Sequence, residues 1–346
     1  MATPDVTVLG AGIFGLSVAW ACLGRGARVR VIDPGGPGAG ASGGIVGALA
    51  PHVPENWNPK KAFQLDSLLR AGAFWAGVDA ISGMASGYGR TGRVQTLANE
   101  EAVILARARG ESAAALWGDA ARWEVVQADT TGWAPRSASG WVVRDDLSAR
   151  LHPRRACESL AAAIRSRGGE MLRDGPVAGR VVHATGAAGL AELSESLGRP
   201  IGQGIKGQAL LLRHAAPKNA PQLFADGLHI VPHDDGTVAV GSTTEREFDD
   251  PTGTDAQAHA LLDRAIEALP ILHGARVAAR WAGLRPRARS RAPMLGPWPG
   301  RAGHFVANGG FKIGFGMAPG VAEVMAGLVL EGRDTIPEGF RVEDSL

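Results

Sequence analysis

The sequence predicts an α/β fold in which a domain on a parallel sheet is interleaved with an α+β domain on an antiparallel sheet. Three observations carry that expectation. A strand–helix–strand unit opens the chain, alternating apolar runs of antiparallel character occupy residues 203–284, and strand and helix signals of the first kind return after residue 146 and again toward the C-terminus. At 346 residues the chain is too long for one simple core, and no repeat or low-complexity linker separates its parts. The expected division is 1–80, 146–202 and 285–346 for the first domain, with 81–145 and 203–284 for the second.

In chain order, Val6 to Leu9 reads as a short buried strand, Ile13 to Leu23 as a helix and Ala27 to Ile32 as a second strand, the length a parallel crossover needs. Residues 34–47 are a Gly- and Ala-rich loop. Helical periodicity follows from Pro59 to Gly77, with Phe63, Leu65, Leu68, Leu69 and Phe74 as its apolar positions. Short strand-like runs and one helix, with interspersed tryptophans, fill Thr91 to Trp141. Pro153 to Arg167 is expected as a helix and Arg180 to Ala184 as a strand leading into Thr185-Gly186. Gln208 to Leu212, Leu228 to Val231 and Thr237 to Val240 alternate as antiparallel strands do. Asp255 to Leu269 reads as a helix, His304 to Val306 as a strand and Gly320 to Leu330 as the last helix.

Gly10, Gly12 and Gly15 form G-x-G-x-x-G between the first strand and its helix. The first glycine permits a tight turn, the second lets backbone N–H groups approach a pyrophosphate at the positive helix N-terminus, and the third lets helix and strand pack closely. The second strand ends at Asp33, where a carboxylate can accept hydrogen bonds from ribose hydroxyls. This is a Rossmann-like dinucleotide signature. The acid would repel a 2′-phosphate, so FAD or NAD fits better than NADP, and the motif alone does not choose between those two.

Composition narrows the function further. A net charge of +2 with dispersed basic residues gives no nucleic-acid face. The N-terminus lacks a basic leader and no run approaches about 20 uninterrupted apolar residues, so neither a signal peptide nor a membrane span is expected. The two cysteines, Cys22 and Cys157, fall in predicted helices. They fit a reducing compartment, and the expected location is cytoplasmic. No metal site is expected.

Beyond the first unit, segments in order resemble the FAD-dependent amino-acid and amine oxidases related to D-amino-acid oxidase, glycine oxidase and sarcosine oxidase. ASGGIVGALAPH (41–52) resembles that family's second flavin loop, HATGAAG (183–189) its third FAD-contacting turn, and IKGQ (205–208) and IVPHDDGTVAVGST (230–243) its substrate-domain strands. AGLRPRARSRAPMLG (282–296) and HFVANGGFKIGFGMAPG (304–320) resemble its last two passages. The pattern is most similar to glycine oxidase.

The resemblance implies a non-covalent FAD. Besides Gly10, Gly12, Gly15 and Asp33, it assigns Ile13, Phe14 and Pro34 to the adenosine and pyrophosphate, and Ala41, Ser42, Val46, Gly47 and Ala48 to the ribityl chain and flavin. Val177 is matched to the adenine contact, Thr185 and Gly186 to the third turn, and Gly310, Phe311, Lys312, Ile313, Gly314, Phe315 and Gly316 to the flavin's pyrimidine edge. Arg285 matches the arginine that grips a substrate carboxylate with both arms of its fork. Lys312 stands where a second basic residue approaches that carboxylate. His229 replaces a tyrosine, and His52 ends the second flavin loop. Arg, Ser and Ala occupy the passage where sarcosine oxidases attach flavin covalently.

The implied activity is oxidation of a small carboxylate-bearing amine or amino acid by hydride transfer to flavin N5, giving an imine that hydrolyses. No acid–base residue is required. The alternatives are a dehydrogenase of a 2-hydroxy acid or other substrate that passes electrons to an acceptor other than oxygen, and a flavin-binding protein without turnover.

Overall fold

In a computed structural model describing residues 3–346, a six-stranded sheet runs in the order Met294–Pro297, His304–Asn308, Arg180–His183, Val6–Leu9, Val29–Ile32 and Glu170–Leu172. Neighbouring strands are parallel except at the edge strand Met294–Pro297. Chain order reverses between Val6–Leu9 and Arg180–His183, and open α/β sheets take their ligands beyond the strand ends at such a switch. The turn 10–15 and the turn at Thr185–Gly186 leave those two strands.

Period-two alternation sends neighbouring residues to different cores. Met294 and Val306 pack with Leu190 and Leu193 of the helix Gly186–Ser196, whereas Leu295 and Ala307 join the main core with the helix Ile13–Gly24. That first helix buries most of its surface against Pro153–Ser166 and Gly314–Ala326, so it carries apolar or small residues almost all round. The long helix Pro59–Ser82 starts on the Asn58 cap with Pro59 in its first turn and stops at left-handed Gly83.

The last helix begins at Gly314, ahead of the Gly320 expected from sequence, and runs through Pro319. Its continuation to Glu331 makes a segment long and apolar enough to cross a membrane by composition, yet 72% of that window is buried. It packs against the helices Ile13–Gly24 and Pro59–Ser82, which accounts for its apolar character.

The second sheet has eight strands in the order Arg276–Ala288, Gly202–Arg213, Thr237–Gly241, Leu228–Pro232, Gln222–Ala225, Arg93–Thr96, Trp141–Asp145 and Trp123–Gln127. It is antiparallel apart from the pairing of Gln222–Ala225 with Arg93–Thr96. One face, with Leu210, Leu212, Ile230, Val238 and Val240, packs against the helix Ala256–Ala268. The other presents Ala209, Val231 and Ala239 to Ile45 and Val46 of the loop after the second parallel strand. The pair Gly202–Arg213 and Arg276–Ala288 stays in register from Gly202↔Ala288 to Arg213↔Arg276, with one irregularity at Leu211/Leu212. The boundary expected at 285 therefore falls inside a continuous strand, and Pro286 is tolerated because that strand is an edge.

Leu160 is fully buried in the main core, whereas Ile104 is 61% exposed. Leu160→Ala should cost about 2–5 kcal/mol in urea unfolding, and Ile104→Ala should stay within about 0.5 kcal/mol.

Candidate active site

The glycine turn is shaped by its neighbours. Gly10 has φ +103°, and a Cβ there would run into the Ala184 backbone, whose N–H donates to the Leu9 carbonyl at 2.7 Å. A side chain at Gly15 would run into the Gly10 carbonyl. Gly12 supplies no side-chain cap of its own, so apart from the Ile13 N–H the first-turn N–H groups are left to a ligand.

Two side chains brace this turn. The Asp33 carboxylate accepts from the Ala11 N–H at 2.7 Å through Oδ2, and from the Gly35 and Gly36 N–H groups at 2.9 and 3.2 Å through Oδ1. Ser42, in the short 3-10 turn Ala41–Gly43, accepts from the Ile13 N–H at 2.9 Å. Pro34 accepts from Arg173 through its carbonyl. The segments matched to separate parts of one cofactor thus meet. Ile13 and Phe14 abut Gly314, and a Cβ on Gly310 would lie 2.9 Å from Phe14. Val46 lies against Gly241, Gly47 against the Leu151 carbonyl, and Ala48 enters a two-stranded pairing with Arg150. Phe315 packs on the main core, and Gly316 is buried beside Leu68.

At the third turn the Thr185 hydroxyl is buried without a partner, and Gly186, with φ +62°, begins a helix. Val177 is 49% exposed in the segment that crosses back over the sheet after Glu170–Leu172, where Arg30 donates to the Pro176 carbonyl and Thr7 to the Ala178 carbonyl.

Arg285 and Lys312 come together. The Arg285 guanidinium lies over Gly207, where a Cβ would displace it, and stands 5.6 Å from the Phe311 ring. It donates to Ser242 Oγ at 2.6 Å, the Thr243 carbonyl at 2.6 Å and the Lys206 carbonyl at 3.2 Å. Its fork is therefore partly committed to the protein, while Nε is buried without a partner. Burial lowers its pKa to about 10, against the favourable field of Glu245. The Lys312 ammonium donates to Thr244 Oγ1 at 2.9 Å and lies 5.7 Å from the Phe311 ring. Burial, reinforced by Arg285 and Arg287, lowers its pKa.

The two histidines differ. His229 packs on Phe224 with ring centroids 4.8 Å apart, and its Nδ1 is unpartnered. Burial, with Arg93 and Lys312 adding to it, pushes its pKa down to about 4, so its ring is neutral at pH 7. The ring of His52 is hydrogen-bonded to Gln64, which also accepts from the His52 backbone N–H at 2.7 Å. That tie to the helix Pro59–Ser82 is a structural use. Trp281 lies on Gly44 and belongs to the small core between loop and sheet.

Sequence reasoning missed the frame around Arg285. Glu245 accepts from Gln208 and Thr243 and faces the Lys206 ammonium at 3.6 Å, just below the Ser242–Thr244 segment. It also missed Arg287, although a strand places residues 285 and 287 on one face.

A pyrophosphate and flavin suit what is present: a helix start with no side-chain cap from Gly12, a strand-end carboxylate, an orphaned buried hydroxyl at Thr185 and a glycine-rich run from Gly309 to Gly316. Fold and site together define a dinucleotide-dependent oxidoreductase. The family described as FAD dependent oxidoreductase matches residues 5–328, and the chain belongs to it. It is an FAD-dependent oxidoreductase of the glycine oxidase type, acting on amine or amino-acid donors. A glycine oxidase of Pseudomonas aeruginosa is 27% identical over 380 aligned residues, covering 96% of each chain. One from Pseudomonas putida is 34% identical over 169 residues, 49% of this chain and 46% of that one. The crystal structure of glycine oxidase from Geobacillus kaustophilus superposes with a TM-score of 0.83 at 22% identity, over 97% of this chain and 96% of that one. An iminodiacetate oxidase of Chelativorans sp. BNC1 gives 0.82 at 21%, over 97% and 98%.

Burial holds His183, His229 and His233 each near pKa 4, below the ordinary 6.5. Between those values the unfolded chain takes up protons that the native state refuses. Stability is therefore full above pH 6.5 and falls as pH drops toward 4. Denaturant midpoints measured from pH 7 to 4.5 should decline, and His183→Gln should flatten part of that slope. A pH-independent midpoint would contradict the buried neutral histidines.

Proposed function

We propose that the substrate is a small amine bearing a carboxylate, of the glycine, sarcosine or D-amino-acid kind, held by Arg285. The observation that carries this reading is a buried guanidinium with an unpartnered Nε beside the Phe311–Lys312 turn. A desolvated cation with donors to spare demands an anion, and an arginine fork matches a carboxylate. The relatives named glycine oxidase and the solved iminodiacetate oxidase support the same class.

When bound, FAD supplies a two-electron acceptor for the substrate's C–H bond. Gly10, Gly12 and Gly15 would take its pyrophosphate against the open helix end, and Asp33 its ribose. Ser42, Val46 to Ala48, Thr185, Gly186 and Gly310 to Gly316 would line the rest, with Val177 at the adenine edge. Attachment is non-covalent in this reading, because Cys22 and Cys157 are buried and burial raises both thiols to about 12.

The chain's task is positional. Arg285 fixes the carboxylate, so the adjacent C–H bond has a set direction. Lys312 adds a point charge from the turn that precedes the helix Gly314–Ala326. Neutral His229 forms an apolar-to-polar wall with Phe224 and offers an unused ring nitrogen. Water then hydrolyses the imine product to a carbonyl compound.

The test is anaerobic titration of the yellow protein with glycine, sarcosine, D-amino acids, proline and 2-hydroxy acids. Bleaching by one of the amines is expected, and readmitted air separates an oxidase from an enzyme that uses another acceptor. Arg285→Ala should raise KM at least about thirtyfold, since truncating one partner of a desolvated charge pair costs roughly 2–5 kcal/mol. Its flavin content should be unchanged. An unaltered KM would remove Arg285 from the site.

A further inference from the structure

Three cationic side chains converge on a single phenyl ring at the proposed substrate site. The guanidinium carbons of Arg285 and Arg287 each lie 5.6 Å from the Phe311 centroid, and the Lys312 ammonium lies 5.7 Å from it. No two of them are separated by more than about twice that distance, so screening at physiological salt, with a Debye length of about 8 Å, leaves part of their mutual repulsion in place. Among the described residues none of the three forms an ion pair, although eighteen other contacts of that kind occur.

Their neighbours supply little compensation. The groups that hold Arg285 are a hydroxyl and two carbonyls, and Lys312 donates to a hydroxyl. Glu245 is the carboxylate whose field reaches Arg285, and it already faces the Lys206 ammonium and accepts from Gln208. The shared phenyl face attracts each cation without neutralising any of them. One substrate carboxylate on Arg285 would leave Arg287 and Lys312 unmatched.

We propose that this site selects amines carrying two acidic groups. One carboxylate lies on the carbon to be oxidised and is held by Arg285. The second, on the other arm of the nitrogen, is held by Arg287 and Lys312. The proposal rests on the reading of Arg285 as the carboxylate anchor and narrows the substrate class within it. Electrostatic complementarity of this kind works as a specificity device, since it ranks a dianion above the monoanion of otherwise equal shape.

The probes are diglycolate and methoxyacetate, which share an ether–CH2–carboxylate skeleton, lack an oxidisable amine and differ by one acid group. Binding to the FAD-loaded protein is measured by titration calorimetry at low and at physiological salt. Diglycolate should bind at least about tenfold tighter, with the advantage shrinking as salt is added. Arg287→Gln and Lys312→Gln should each bring the ratio toward unity, while Arg287→Lys, which keeps the charge, should retain most of it. Equal affinities in the parent protein, or a preference untouched by both glutamine variants, would overturn the proposal. Sarcosine and iminodiacetate are then compared as reductants of the flavin. If sarcosine bleaches it but diglycolate binds no tighter than methoxyacetate, the oxidation reading stands and the two-acid site falls. If neither amine bleaches it while diglycolate keeps its advantage, the reverse holds.

Discussion

The close passage of two chain segments at the centre of the parallel sheet governs the layout around it. Where Val6–Leu9 and Arg180–His183 end side by side, the backbone at Gly10 runs so near Ala184 that no side chain fits between them. That approach brings the turn 10–15 and the turn at Thr185–Gly186 to one crevice. It also lets the helix Ile13–Gly24 settle directly on the sheet, with Gly15 against the Gly10 carbonyl. Asp33 and Ser42 then act as braces, each tying a later segment to a backbone N–H of the same turn. Enlarging Gly10 would disturb sheet, helix and crevice together.

The second half of the site is organised by sheet parity. On the strand pair Gly202–Arg213 and Arg276–Ala288, Ile205 and Arg285 form one cross-strand pair and Lys206 and Leu284 the next, pointing to the other face. The charged frame of Lys206, Glu245 and Gln208 therefore sits behind the sheet, while Arg285 faces the crevice side. What joins them is the segment Ser242–Thr244, whose hydroxyls and carbonyl reach in both directions. A buried cation is costly unless its surroundings supply acceptors, and here that supply is a serine hydroxyl and two backbone carbonyls, none of which can titrate away.

Much of this was legible in the sequence where the signal was local. The glycine spacing, Asp33 and the first helix follow from turn chemistry and periodicity within some thirty residues. The strands Leu228–Pro232 and Thr237–Gly241 announced themselves by alternation. Three features did not. The strand Arg276–Ala288 carries four arginines and a proline, so its composition argues against a strand, and only its edge position makes it one. The helix Gly186–Ser196 starts in a glycine–alanine run that reads as a turn. The last helix passes through Pro319, which is ordinarily a sign of a helix start or break. The frame around Arg285 was illegible for a different reason: its members lie up to 79 residues apart, and register between strands decides whether they meet.

The pairing of Gly202–Arg213 with Arg276–Ala288 bears on how firmly the anchor is held. Both strands belong to the second sheet, and their ladder runs from Gly202↔Ala288 to Arg213↔Arg276 with one irregularity at Leu211/Leu212. The strand that carries Arg285 is an edge, so Gly202–Arg213 is its one neighbour in the sheet. Fraying of an edge strand begins at its ends, and the pairs at Gly202, Gln203 and Gly204 must open before the pair Ile205↔Arg285 is reached. The anchor arginine thus keeps its height on the sheet while the tip of its strand loosens.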